Sequence, residues 1–102
     1  MKLKIFSVYD CKVEAYLQPF FMRSKGEALR AFMSAVDDKQ TQFNKNPEDF
    51  TLFELGEFDD EKGKVNSINP TSLGTALEFK AKNENERIGL VKEINNDVDN
   101  MM

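Results

Sequence analysis

From Lys2 to Tyr9 the chain alternates, with Lys2, Lys4, Phe6 and Val8 falling on one side and Leu3, Ile5, Ser7 and Tyr9 on the other. A period of two is that of a β-strand, here with one more polar face. After a turn at Asp10-Cys11-Lys12, Val13 to Leu17 again has strand composition until Pro19 interrupts it, and the pair reads as a short β-hairpin. The period then changes at Ser24-Lys25-Gly26-Glu27, a capping box in which the Ser24 hydroxyl can accept from the Glu27 amide and the Glu27 carboxylate can reach back. Leu29, Phe32, Met33 and Val36 follow at helical spacing, with Glu27, Arg30, Ser34 and Asp37 opposite. This predicts an amphipathic helix ending near 38–40, one stripe on the sheet and the other in water.

Thr41 to Asp49 is polar and reads as a connection, Pro47 biasing Asn46 away from helix. Strand character resumes from Phe50 to Phe58. In strict alternation Phe53 and Leu55 share a face and Phe58 falls on the other, so Gly56 marks a bulge that resets the pattern. Asp59 to Gly63 is a loop, and Val65, Ser67 and Ile68 form a return strand stopped by Asn69-Pro70. Thr71 to Lys82 is ambiguous, a further short strand being one reading. Beyond Asn83, Ile88, Val91, Ile94, Val98 and Met101 recur every three or four residues, which fits a second amphipathic helix weakened at Gly89 by about 1 kcal/mol relative to alanine. The pattern therefore predicts an α+β fold: a small antiparallel sheet of about four strands packed with one main α-helix and a possible second, C-terminal helix. Residues 1–82 form the single domain, and 83–102 an acidic segment, an amphipathic helix or a partly ordered tail. Its apolar stripe either packs on the domain or, through Val91, Ile94 and Val98, contacts another subunit or a partner.

At 102 residues the chain supports one domain and one modest core, in which nine Phe and no Trp supply most of the aromatic burial. There is no histidine, and Cys11 is the only cysteine. That removes ordinary zinc sites, an internal disulfide and His-based acid–base chemistry, so no enzyme and no cofactor is expected. Cys11 is expected to be a buried, reduced thiol. Asp59, Asp60 and Glu61 beside Gly63 have the oxygen ligands a divalent cation requires, but a solvated hairpin loop with glycine at positive φ explains the same letters better. Glu54 and Glu57, three apart on a strand, point to opposite faces unless the bulge intervenes. No apolar run reaches the length of a membrane span and the first ten residues lack a signal-peptide pattern, which implies a cytoplasmic protein.

Charge narrows the choice of partner. The chain carries net −4, with 8 Lys/Arg against 7 Asp/Glu in residues 1–50 and 6 against 11 in 51–102. Any nucleic-acid face is therefore expected in the first half. Single-strand binding needs cations for phosphates and rings on which bases stack. Lys2, Lys4, Lys12, Arg23, Lys25 and Arg30 interleave there with Phe6, Tyr9, Tyr16, Phe20 and Phe21. The candidate site is Lys2, Lys4, Lys12, Tyr16, Phe20, Phe21, Arg23, Lys25 and Arg30, with no catalytic residue and no metal ligand. The plain alternative is that the Phe rings are core and that Arg30, flanked by Glu27 and Ser34, is an ordinary solvated residue.

Several separated blocks stand in one order: Ile5-Phe6-Ser7-Val8-Tyr9-Asp10-Cys11-Lys12, Pro19-Phe20-Phe21, Gly26-Glu27-Ala28-Leu29-Arg30-Ala31-Phe32, Pro47-Glu48-Asp49-Phe50 and Leu55-Gly56-Glu57-Phe58-Asp59-Asp60. Over residues 3–65 the chain resembles the small nonstructural protein family of gokushoviruses, tailless single-stranded DNA phages of the Microviridae, known as VP5 or the phage ORF5 protein. Tyr9 stands where relatives often have arginine, which removes a cation from that position. The resemblance implies a nonstructural protein that assists replication or packaging of single-stranded DNA in the host bacterial cytoplasm, by binding single-stranded DNA. A homodimer is expected. The competing implication is an interaction protein that never touches DNA and regulates the phage replication initiator or a host replication factor.

Overall fold

The computed structural model describes residues 1–84. Five strands, β1 (Lys2–Asp10), β2 (Ala15–Tyr16), β3 (Phe20–Met22), β4 (Phe50–Asp59) and β5 (Lys64–Thr75), form one antiparallel sheet. β1 and β4 lie at its centre and β5 at one edge, while β2 and β3 share the other edge, both pairing with β1. Two helices, α1 (Lys25–Asp37) and the short α2 (Gln42–Lys45), and a 3-10 turn (Pro47–Asp49) connect β3 to β4. Residues 76–84 form a further helix, α3. The α+β architecture is as expected from the hydrophobic pattern.

The shared edge follows from one polar side chain. Ser7 is completely buried, and its Oγ donates to the Leu17 carbonyl at 2.6 Å while the Leu17 amide donates to the Val8 carbonyl at 2.8 Å. Leu17 is thereby tied to β1 on both sides, Pro19 interrupts the pairing, and the chain re-enters it with Phe20 opposite Phe6. The expected hairpin strand over Val13–Leu17 shortens to β2, and β3, whose three residues are too few to show a period, adds a second piece on the same edge.

The core lies on one face of the sheet. Phe6 and Val8 of β1 and Phe50 and Leu52 of β4 meet Ala28, Phe32 and Val36 of α1 and Ala76 at the start of α3. Phe32 sits at the centre of a ring cluster, 5.5 Å from Phe43 and 5.6 Å from Phe79 between centroids, with Phe43 in turn 4.9 Å from Phe50. Burying one such ring contributes about 1.5–3 kcal/mol. α1 begins as expected, the Ser24 Oγ accepting from the Glu27 amide at 3.2 Å, and ends at Asp38, whose amide bonds the Ser34 and Ala35 carbonyls.

Three expectations change. Thr41 to Asp49 is not a plain connection: Thr41 Oγ1 accepts from the Asn44 amide at 3.2 Å and donates to the Ala35 carbonyl at 2.6 Å, so these polar letters cap α2 and hold Phe43 inward. β5 does not stop at Asn69-Pro70. It is an edge strand, where a missing amide is tolerated, and residues 68–70 bulge out opposite Leu55, between the pairs Glu54↔Thr71 and Gly56↔Ser67. Residues 76–84 are helical rather than extended, Thr75 Oγ1 accepting from the Glu78 amide at 3.1 Å and Phe79 landing on Phe32.

The acidic segment 83–102, apart from its first two residues, lies outside the described residues, and so do Val91, Ile94 and Val98. Among the described residues, no helix is long and apolar enough to cross a membrane.

Candidate nucleic-acid interface

All three helices pack on the Phe6/Val8/Leu52 face, and among the described residues the opposite face is open. Alternation and register place Leu3, Ile5, Ser7 and Tyr9 of β1 on it. Tyr16 and Thr51 stand opposite Tyr9, Phe21 opposite Ile5, Phe53 opposite Ser7, and Phe58 opposite Leu3. Val65 and Ser72 continue the face on β5, opposite Phe58 and Phe53. None of these positions carries a charge.

The rings form two groups. At one end Tyr16 lies 4.9 Å from Tyr9 and 5.6 Å from Phe53, with Tyr9 and Phe53 6.4 Å apart. At the other, Phe21 stands edge-on to Phe58 at 5.8 Å. Tyr16 is 42% and Phe21 49% exposed, so the outermost ring of each group presents its surface to water. Phe58 joins this face only because of the bulge. The β1–β4 register passes from Ile5↔Gly56 to Phe6↔Glu54, leaving Leu55 unmatched. Gly56 is required there, since a Cβ would stand 2.4 Å from the Asn66 carbonyl oxygen of β5.

The cations of the first half divide between the two faces. Lys12 lies in the β1–β2 turn, at the Tyr9–Tyr16 end, its amide donating to Asp10 Oδ1 at 2.9 Å. Arg23 follows Phe21 by two residues, and Lys25 opens α1. All three are exposed, and among the described residues none has a carboxylate within 4.0 Å. Lys2 and Lys4 share the helix-covered face with Phe6 and pair with Glu57 at 3.6 Å and Glu54 at 3.7 Å. Glu54 stands on that face by alternation and the bulge brings Glu57 to it, so they are partners of lysines and not a carboxylate pair on opposite sides.

The candidate residues therefore do not form one patch. Tyr16 and Phe21 share the open face, with Lys12 in the turn at one end and Arg23 just past β3 at the other, while Lys25 opens α1, which packs on the opposite face. Phe20 turns inward and stacks on Phe6 at 5.7 Å, which makes it a packing residue. Arg30 lies on the exposed side of α1, in the helix layer. Tyr9, Phe53 and Phe58 were not in the candidate set. The signal that finds the last two is the Gly56 bulge, which makes positions five apart equivalent.

The remaining chemistry is local. Asp59 Oδ1 accepts from the Glu61 and Lys62 amides at 3.0 and 3.3 Å, and Gly63 takes φ +64, closing the hairpin loop. Asp60 and Glu61 receive the Met1 ammonium at 2.7 and 3.4 Å. The hydrogen bond that the amine donates to Asp60, helped by the charge of the neighbouring carboxylates, raises its pKa above the ordinary 8.0. Cys11 is exposed in the β1–β2 turn rather than buried, because the turn carries it past the end of the sheet. What the open face can do is accept flat, uncharged groups on its rings, with positive charge at its two ends.

Comparison with known proteins places the chain at the level of family. The family model for the phage ORF5 protein matches residues 3–79, a stretch that takes in most of β1, all the other strands, α1, α2 and the start of α3. No curated protein and no solved structure gives a significant match. The chain belongs to the phage ORF5 protein family.

Proposed function

We propose that this phage ORF5 protein is a non-enzymatic accessory protein of a single-stranded DNA phage of the gokushovirus kind, assisting replication or packaging by holding unpaired DNA. The observation that carries the reading is the open sheet face. Rings gathered from four strands line a surface without charge, Tyr16 and Phe21 outermost and exposed, and Lys12, Arg23 and Lys25, which have no carboxylate within 4.0 Å among the described residues, follow strands β1 and β3. Bases stack on aromatic side chains with about 1–3 kcal/mol each, and cations at the rim meet the phosphates. On the helix-covered face, Lys2 and Lys4 are instead paired with glutamates. In a chain of net −4 the neutral face also matters, since no carboxylate on it repels the strand. A homodimer acting in the cytoplasm of the infected bacterium would double the cationic rim.

A second reading, an interaction protein for the phage initiator or a host replication factor, has one observation in its favour. An apolar groove of about 320 Å³ lies beside α1, lined among others by Leu17, Phe20, Met22, Ala35 and Phe43. The two readings separate in one titration. A labelled single-stranded oligonucleotide, with a duplex control, is followed by fluorescence anisotropy at two salt concentrations. Preference for the single strand that weakens with salt supports DNA binding; no binding at low salt, where electrostatic attraction is strongest, rejects it.

A further inference from the structure

We infer that the open face holds single-stranded nucleic acid by base stacking at two stations along β1, with phosphate contacts only at the rim, so that its footprint is short and its salt dependence shallow. This rests on the single-strand reading above and goes beyond it by assigning the mode and length of the ligand.

The first station is Tyr16 with Tyr9 and Phe53 beneath it; the second is Phe21 on Phe58. Their positions on β1 are marked by the partners of the exposed rings: Tyr16 pairs with Tyr9 and Phe21 with Ile5. Four residues of strand span about 13 Å. A stacked strand advances about 3.4 Å per nucleotide, so roughly four nucleotides reach from one station to the other. One open-face position of β1 lies between them, Ser7, buried and with its hydroxyl already given to Leu17, and Ile5 beside Phe21 is 8% exposed, so neither offers a free polar group.

The same inventory limits what the face can read. Base edges are distinguished by amide, carboxylate and guanidinium groups, and none is present at the open-face positions of the strands. Ring faces are common to all bases. Recognition is therefore tolerant of sequence, while a duplex, whose base faces are stacked on one another, is refused. Phosphates meet Lys12 at one end and Arg23 and Lys25 at the other. Three contacts on a single strand give a slope of log K against log salt of about −2.

The test is a length series of oligothymidine from two to twelve nucleotides, titrated against the full chain and its variants. Affinity should climb to about four or five nucleotides and then level, with the slope near −2. Tyr16→Ala and Phe21→Ala should each weaken binding about 5- to 150-fold, the range expected for one lost stacking partner. Phe21→Leu keeps an apolar group over Phe58 and should lose as much as Phe21→Ala, whereas Phe21→Trp should restore binding. Far-UV circular dichroism of each variant should match the parent. Single-strand binding that is unchanged in Phe21→Leu, or that strengthens through twelve nucleotides with a slope beyond about −4, overturns the stacking assignment and leaves the single-strand reading standing. Absence of binding at every length and at low salt overturns both.

Discussion

Phe53 and Phe58 are five residues apart on one strand, yet both side chains stand on the open face, because Leu55 between them has no partner on β1. The geometry depends on Gly56, whose place a side chain cannot take without driving a Cβ to 2.4 Å from the Asn66 carbonyl oxygen, a backbone atom that cannot step aside. Gly56→Ala should therefore destabilise the protein by about 3 kcal/mol, the upper part of the range for overpacking. Gly26→Ala makes the useful contrast. It lies in the first turn of α1 with only Ser24 Oγ nearby, at 3.9 Å, and should stabilise by roughly 0.5 kcal/mol. Urea denaturation midpoints of the two variants should move in opposite directions.

Ser7 holds the divided edge of the sheet. Replacing it by alanine removes the 2.6 Å bond to the Leu17 carbonyl and should cost about 1 kcal/mol, since Leu17 is itself partly exposed and water can take over its oxygen. The local signature is sharper than the global one. Amide exchange at Leu17 and at Phe20 to Met22 should accelerate while that of β4 stays as it was.

Two rings of similar size should behave differently. Phe32, 4% exposed and in contact with Phe43 and Phe79, should lose about 3–5 kcal/mol as alanine, enough to unfold much of the population of a small domain. Phe21, half exposed, should lose under about 1 kcal/mol for the same change. Thermal melts of both variants decide it. A large loss at Phe21 would mean that the ring is structural and not free to meet a ligand.

The clasp between Met1 and the β4–β5 loop predicts a pH dependence of known sign. The amine's pKa is raised in the folded state by Asp60 and Glu61. The stability it supplies is thus fully present below the unfolded value of 8.0 and lost as pH rises through the higher folded value. Because the pair is exposed, the effect is small. It is isolated by comparing the parent with Asp60→Asn: the difference in melting temperature should be present at pH 7 and shrink above the amine's folded pKa.

Much of the scaffold was legible because it rests on local rules. The alternation of β1, the Ser24 cap, the stripe of α1 and the reset at Gly56 are all written within a few residues of where they act. The candidate face was legible only in part, since it is assembled by register. Tyr16, Phe21, Phe53 and Phe58 come from three strands, and nothing local says that Phe20 goes in while Phe21 stays out; that is decided by where Leu17 is tied to Ser7. Lys2 and Lys4 looked available beside the aromatic residues. They are not, because the bulge that carries Phe58 to the open face carries Glu57 to theirs. The helix at 76–84 was missed for a similar reason, its cap being supplied by Thr75, the last residue of a strand expected to have ended earlier.

The open face is tested most directly by amide and aromatic NMR shifts of the labelled protein as a short oligothymidine is added at low salt. Shifts should concentrate at Tyr9, Tyr16, Phe21, Phe53 and Phe58, with smaller changes at Lys12, Arg23 and Lys25, while α1 and α2 stay still. Shifts confined to the helix layer around Ala31, Ala35 and Phe43, or none at any ratio, would contradict it.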